Sequence, residues 1–298
     1  MAIKARKLPK NTAGEFYVDS SCINCDTCRQ IAADVFGESE GFSYVHKQPA
    51  TCESLRRALQ ALVACPTASI GNENKASVRD AAGDFPLLLD RIQDSDASGT
   101  EVYYCGFNSS KSFGGNSYFL RHRLGNWLID SPRWSGRLAA SLEQLGGVAY
   151  IFLTHRDDVA DAAQYAARFG SRRIIHKAEL TAQPEAEIVL DSWEPVELSS
   201  DLLAIPTPGH TRGHCALLYR SNLLFSGDHL WWSREQLRLH ASRSVCWYSW
   251  EEQRRSVRRL VDYSFEWVLP GHGQRVKLER HRMREHLARL ASRLDGSG

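Results

Sequence analysis

Thr154-His155-Arg156-Asp157-Asp158-Val159-Ala160-Asp161, Pro208-Gly209-His210-Thr211, Ser226-Gly227-Asp228-His229 and Pro270-Gly271-His272-Gly273 are four short segments, each placed after a run that reads as a β-strand. Imidazole and carboxylate groups at strand ends, on glycine-flanked turns that let the backbone come close, are what a site for one or two metal ions requires. One such segment carries little weight. Four of them in one chain point to a fold that gathers strand ends around a metal.

Around these turns the pattern alternates between strand and helix. Glu101 to Phe107, Ser117 to His122, Trp127 to Asp130, Val148 to Thr154, Arg173 to His176, Leu202 to Pro206, Cys215 to Arg220, Leu223 to Ser226 and Trp267 to Leu269 read as strands. Gly136 to Leu145, Asp157 to Phe169, Trp250 to Tyr263 and Leu278 to Leu294 read as helices, the second opened by acidic residues and closed by Gly170. Ahead of them lies a stretch of different character, with five of the eight cysteines between about residues 14 and 71. From Gly71 to Thr100 the chain is rich in Gly, Ser, Asn and Asp, apart from an apolar island at Phe85 to Leu89, and reads as a linker. The expected division is 14–72, a linker at 73–99, and a larger domain at 100–298. A length of 298 residues with 43% apolar content suits two packed domains on a prior of ~150 residues each.

Cys22, Cys25 and Cys28 stand in C-x-x-C-x-x-C spacing, and a remote Cys65 precedes Pro66. Two-residue spacers let successive thiolates fold round one face of a cubane while the distant cysteine closes it from the other side. Structural zinc on the same four thiolates is the alternative, although zinc sites usually pair two C-x-x-C knuckles. The run SCINCDTCRQIAADVF followed by ACPTASI resembles bacterial-type single-cluster ferredoxins. That resemblance implies one 4Fe-4S cluster on Cys22, Cys25, Cys28 and Cys65, and Ala32, where a two-cluster relative has a further cysteine, argues for a single cluster. Cys52 has no partner in the pattern and reads as a buried thiol.

The four histidine and aspartate segments, in their order, resemble the metallo-β-lactamase-fold superfamily, which includes glyoxalase II, RNase Z, persulfide dioxygenases and flavodiiron proteins. The resemblance implies an αββα sandwich, so the expected fold class is α+β: a small ferredoxin-like domain followed by a metallo-β-lactamase sandwich. His155 matches the first histidine of H-x-H-x-D-H, His210 that of the P-G-H-T turn, Asp228 the bridging aspartate and His272 the last histidine; Asp130 matches a position that orients the metal-binding loop. The chain departs from the pattern in reading H-R-D-D-V-A-D-A, with Asp157 for the second histidine and Ala162 where the final one would fall. The implied first site is His155, Asp157 and His210; the second holds Asp228, His272 and either Asp161 or Asp158. Carboxylate in place of imidazole shifts preference from zinc toward iron or manganese. His176, His214 and His229 read as packed, hydrogen-bonded histidines rather than ligands.

One or two divalent metals (Fe, Mn or Zn) so held would polarise a carbonyl and acidify water, so the leading expectation is a hydrolase of a small thioester or ester, with Asp157 or Asp158 moving the proton. A diiron oxidoreductase fed by the cluster is the competing reading, and a non-catalytic electron-transfer or ligand-binding module the third. Trp231, Trp232, Cys246, Trp247, Tyr248 and Trp250 either stack a substrate or pack the core. With 37 Lys and Arg against 35 Asp and Glu, no electrostatic footprint for nucleic acid or membrane is evident, and the arginine-rich helices read as solvated faces. The expected partners are a small-molecule substrate and a redox protein docking beside the cluster. The basic start MAIKARKLPK lacks the apolar core of a secretory signal, and clustered cysteines suit a reducing compartment, so cytoplasm is expected.

Overall fold

The structure, a computed structural model, describes residues 2–72, 76–92 and 100–296. Residues 73–75 and 93–99 of the expected linker and 297–298 of the expected second domain lie outside the described residues. The chain forms two compact units, Met1–Ile151 with Ala160–Ser171 and Phe152–Val159 with Arg172–Gly298. This grouping differs from the expected boundary near residue 100. The apolar island of the linker stretch enters a sheet: Leu87–Ile92 pairs antiparallel with Thr100–Tyr104, and Ala76–Ala81 is helical.

In the first unit the two ends of the cysteine-rich segment are tied together, Phe16–Val18 running antiparallel to Ile70–Asn72. Gly71 is required there, since a Cβ would stand 2.2 Å from the Tyr17 ring. Phe36–Ser39 and Phe42–Val45 form a hairpin whose turn residues Glu40 and Gly41 take φ of 53° and 76°, as a tight two-residue turn demands. The helix Cys52–Ala64 begins where Thr51 Oγ1 accepts the Ser54 N–H at 3.1 Å, and it buries Ala58, Leu59, Ala61 and Val63. Cys52 occupies its first turn and is exposed, not buried as the sequence suggested, because its position falls on the solvent face. Thr100–Tyr104, Tyr118–Leu120 and Trp127–Ile129 continue the antiparallel meander from Leu87–Ile92.

The second unit is built on a six-stranded sheet ordered Val196–Ser199, Leu202–Pro206, Cys215–Tyr219, Leu223–Gly227, Trp267–Pro270, Val276–Lys277. Only Leu223–Gly227 and Trp267–Pro270 are parallel. Helices Trp250–Leu260, capped by Ser249, and Arg280–Asp295 cover one face, where Ile205, Ala216, Leu218, Leu224 and Val268 meet Val257, Leu260, Met283, Leu287 and Leu290. The two central strands are buried along their whole length, so they read as continuous apolar runs rather than alternating ones. The helix expected from Asp157 is shorter: Arg156–Asp158 is a single 3-10 turn, Ala160 takes φ of 33°, and the α-helix is Ala162–Phe169. The acidic pair is therefore held in a turn instead of opening a helix. No helix among the described residues is long and apolar enough to cross a membrane.

Leu224 lies at the centre of this face with no exposed surface. Leu224→Ala is expected to destabilise the fold by roughly 2–5 kcal/mol through lost burial and a residual cavity, read as a lowered urea midpoint with an unchanged slope.

Candidate metal centre

Strand ends deliver the histidines, and hydrogen bonds to their far nitrogens aim them. His155 is fully buried, and its Nδ1 lies 2.9 Å from Thr154 Oγ1, which leaves Nε2 facing inward. His210 Nδ1 can only donate to the Val245 carbonyl, 2.5 Å away, so in the neutral ring Nε2 carries the lone pair. Both Nε2 atoms are buried without a hydrogen-bond partner. Each stands 3.6 Å from Asp228 Oδ2. Asp157 Oδ2 lies 3.5 Å from His210 Nε2 and 4.0 Å from His155 Nε2.

Two sets of mutually close donors result, His155 with Asp157 and His210, and His155 with Asp158 and Asp228. Separations of this order are close to the ~3.4 Å edge of a tetrahedron with metal–ligand bonds of about 2.1 Å. The second set crowds two carboxylates, Asp158 buried and Asp228 nearly so, and a Cβ on Gly271 would stand 2.6 Å from Asp158 Oδ2 and 2.7 Å from Asp228 Oδ1. Only glycine fits beneath them. Orphaned imidazole nitrogens beside paired carboxylates in a buried site are the donor chemistry of a divalent cation, and these residues fit one.

His272 and Asp161, both expected as ligands, are in neither set. His272 Nδ1 is 2.9 Å from both Asp228 oxygens and so holds that carboxylate instead. Asp161 is drawn off by Lys111 Nζ at 2.6 Å and the Trp134 N–H at 2.7 Å. Asp158, buried on its turn, takes the place in the second set.

Other groups brace the site. His214 Nε2 accepts the Asp228 N–H at 3.2 Å, which makes its Nδ1 the donor to Thr207 Oγ1 at 2.8 Å. His176 likewise uses both nitrogens, accepting from the Ala178 N–H and donating to the Ser192 carbonyl. His229, by contrast, is buried with neither ring nitrogen hydrogen-bonded, so only part of the expectation for these three histidines holds. Glu179, fully buried, accepts the Gly213 N–H at 2.5 Å and the Arg156 N–H at 3.2 Å, joining the loops that carry His210 and His155. Nothing in a single sequence marks a glutamate so far from both loops.

Burial drives His155 down to about 4 and His229 to about 3, so both stay neutral near pH 7. For Asp228 burial works against the charge, yet His272, His155 and His210 hold its carboxylate well below the usual range. For His210 burial also opposes the charge, but Asp157 and Asp228 raise it above the ordinary 6.5. In the metal-free protein its bound proton therefore stabilises the fold below about 6.5 and the contribution is lost as pH rises through the raised value.

Among the cysteines, the Asn24 and Ser69 N–H groups point at Cys22 and Cys65 Sγ at 3.4 and 3.3 Å. No three cysteine sulfurs among the described residues lie within 4.8 Å of one another. Tetrahedral zinc with Zn–S of about 2.3 Å would hold them ~3.8 Å apart, closer than these sulfurs stand as a group. Burial pushes Cys25 up to about 11 and Cys28 higher still.

A metal must displace the His210 proton, so manganese or zinc uptake by the apoprotein is expected to strengthen steadily as pH rises from 5 to 8. Titration with elemental analysis at each pH checks this, and a flat profile contradicts it.

Residues 18–72 match the family described as the 4Fe-4S single cluster domain of ferredoxin I. The chain is 33% identical over 118 residues to a hydroxyacylglutathione hydrolase of Acidiphilium cryptum (strain JF-5), covering 38% of this chain and 48% of that protein. It is 26% identical over 186 residues to a lactamase-like protein of Pestalotiopsis microspora, covering 59% and 54% respectively. The chain thus spans about half the length of the curated relatives it matches. A metallo-β-lactamase family protein from Thermus thermophilus is similar in structure, with 19% identity, a TM-score of 0.44, and coverage of 61% of this chain and 75% of that one. The chain is an α+β protein whose residues 18–72 match the single-cluster 4Fe-4S ferredoxin domain, and the curated proteins it is similar to bear the names hydroxyacylglutathione hydrolase and lactamase-like protein.

Proposed function

We propose that the centre at His155, Asp157, His210 and Asp228 hydrolyses a small thioester or ester with one or two divalent ions, and that the ferredoxin-type part provides electron transfer. In this reading residues 14–72 hold the cluster, 73–99 join the parts and 100–298 form the hydrolytic domain. The observation that carries it is the convergence of two partnerless imidazole Nε2 atoms on one largely enclosed aspartate. The curated relative whose name is hydroxyacylglutathione hydrolase supports a thioester.

A divalent ion bound there supplies Lewis acidity toward a carbonyl and lowers the pKa of water. The protein's own groups do the rest. Asp228, His155 and His210 fix position, while His272 holds the Asp228 carboxylate in place. Asp158, buried beside Asp228, would accept the proton that water gives up, and exposed Asp157 would pass it toward solvent, its Oδ1 lying 3.7 Å from Arg156 Nε. Exposed Trp247 presents its ring beside His210, 5.9 Å from the imidazole, and would receive the acyl group. Trp231 and Trp232 instead sit half-buried in the hairpin with Arg238–His240.

We propose further that the protein acts in the cytoplasm with a redox protein as partner, and without nucleic acid or membrane. Against a nucleic-acid partner, Arg254, Arg255, Arg258, Arg280 and Arg289 each pair with a carboxylate, which neutralises part of the charge of the basic helices. A diiron oxidoreductase is the second reading, favoured by the carboxylate-rich donor set.

Asp228→Ala is expected to lower thioester hydrolysis at least 100-fold and to remove the non-cluster metal while the cluster absorbance persists. Cys25→Ala is expected to abolish the cluster and leave hydrolysis within about twofold. Steady-state kinetics beside iron, zinc and manganese analysis decide it; dioxygen consumption that needs both residues, with iron in the centre, would establish the second reading instead.

A further inference from the structure

The cysteine site is completed by side chains that follow it in the chain by 40 residues or more, all within the first unit. Arg133 reaches Cys65, its Nη1 donating to the Cys65 carbonyl at 3.0 Å and the Asn108 carbonyl at 2.9 Å, its Nη2 to the Val63 carbonyl at 2.7 Å. The guanidinium lies over the Phe107 ring at 5.5 Å. No carboxylate pairs with it among the described residues; its partners are three neutral carbonyls.

The neighbouring loop closes on the other thiols. Gly114, at φ 89°, comes so near Cys25 that a Cβ would stand 2.7 Å from its Cβ and 2.9 Å from its Sγ. Asn108, fully buried, donates to the Gly114 carbonyl at 2.7 Å and to Thr27 Oγ1 at 3.1 Å, and Thr27 Oγ1 is 3.4 Å from Cys25 Sγ. A partly buried positive charge, uncompensated and hydrogen-bonded to the main chain of a ligand cysteine, therefore sits on a site this loop shields from water.

We propose that Arg133 sets the reduction potential of the 4Fe-4S cluster, holding it higher than the four cysteines alone would. Reduction adds one negative charge to the cluster. A fixed cation whose hydrogen bond draws electron density from the Cys65 peptide favours that reduced form, and the low dielectric around it preserves the effect. Arg133 is a tuning residue: it acts through Cys65 and touches no substrate. The inference rests on the cluster reading, not on hydrolysis in the other unit.

The test is an EPR-monitored redox titration of the full chain, purified without oxygen, as wild type, Arg133→Met, Arg133→Gln and Arg133→Lys, with iron and sulfide counted in each. The midpoint potential is expected to move to more negative values in the two neutral variants and to stay near the wild type in Arg133→Lys. Should Arg133→Met fail to hold a cluster, the Gln and Lys pair carries the same comparison. Equal potentials in all proteins, an equal shift in Arg133→Lys, or loss of the cluster from the Lys variant too would overturn the proposal, the last two by showing that shape and not charge matters. Wild type lacking about four irons and four sulfides would overturn the cluster reading itself.

Discussion

Two hydrogen bonds on the far sides of two imidazoles govern the chemistry of this protein. The Val245 carbonyl fixes His210, and Thr154 Oγ1 engages the far nitrogen of His155, so each ring turns its Nε2 toward Asp228. A neutral imidazole held in one tautomer loses little orientational freedom on binding a cation, and its alternative is a buried nitrogen with no partner. The site is therefore biased toward a metal before one arrives. Glu179 and His214 extend the same logic one layer outward, holding the loops and the Asp228 peptide rather than the ion.

The glycines of the turns were the legible part. Gly271 can have no side chain because two carboxylates lie over it, and Gly227 at φ 48° would bring a Cβ within 2.5 Å of His214 Nε2. Spacing and residue type announce such constraints. What the sequence hid depends on distant partners. Asp161 fits a ligand pattern, yet Lys111, 50 residues earlier, claims it. Asp158 and Asp157 read as the opening of a helix, and a left-handed Ala160 instead keeps them on a turn. Aspartate in place of the second histidine leaves a donor facing His210.

The cysteine segment illustrates the other limit of local reading. Its C-x-x-C-x-x-C spacing identifies the thiolates, and strand pairing of Phe16–Val18 with Ile70–Asn72 suggests a closed module. Yet Arg133, Asn108 and Gly114 supply charge and cover from a stretch that composition assigned elsewhere. The linker stretch gains structure for a related reason: its apolar residues find a sheet edge at Thr100–Tyr104 that no window of sequence displays. Pattern tells which groups do chemistry, and topology decides what surrounds them.

The central claim is that buried nitrogens and carboxylates from separate loops close on a single ion. Anomalous diffraction from crystals of the full chain, collected at the iron, manganese and zinc edges, tests it most directly. The account predicts a peak bounded by His155 Nε2, His210 Nε2 and Asp228 Oδ2, apart from the signal of the cluster irons. Anomalous density confined to the cysteine site, with the His155 and His210 rings turned away from Asp228, would contradict it.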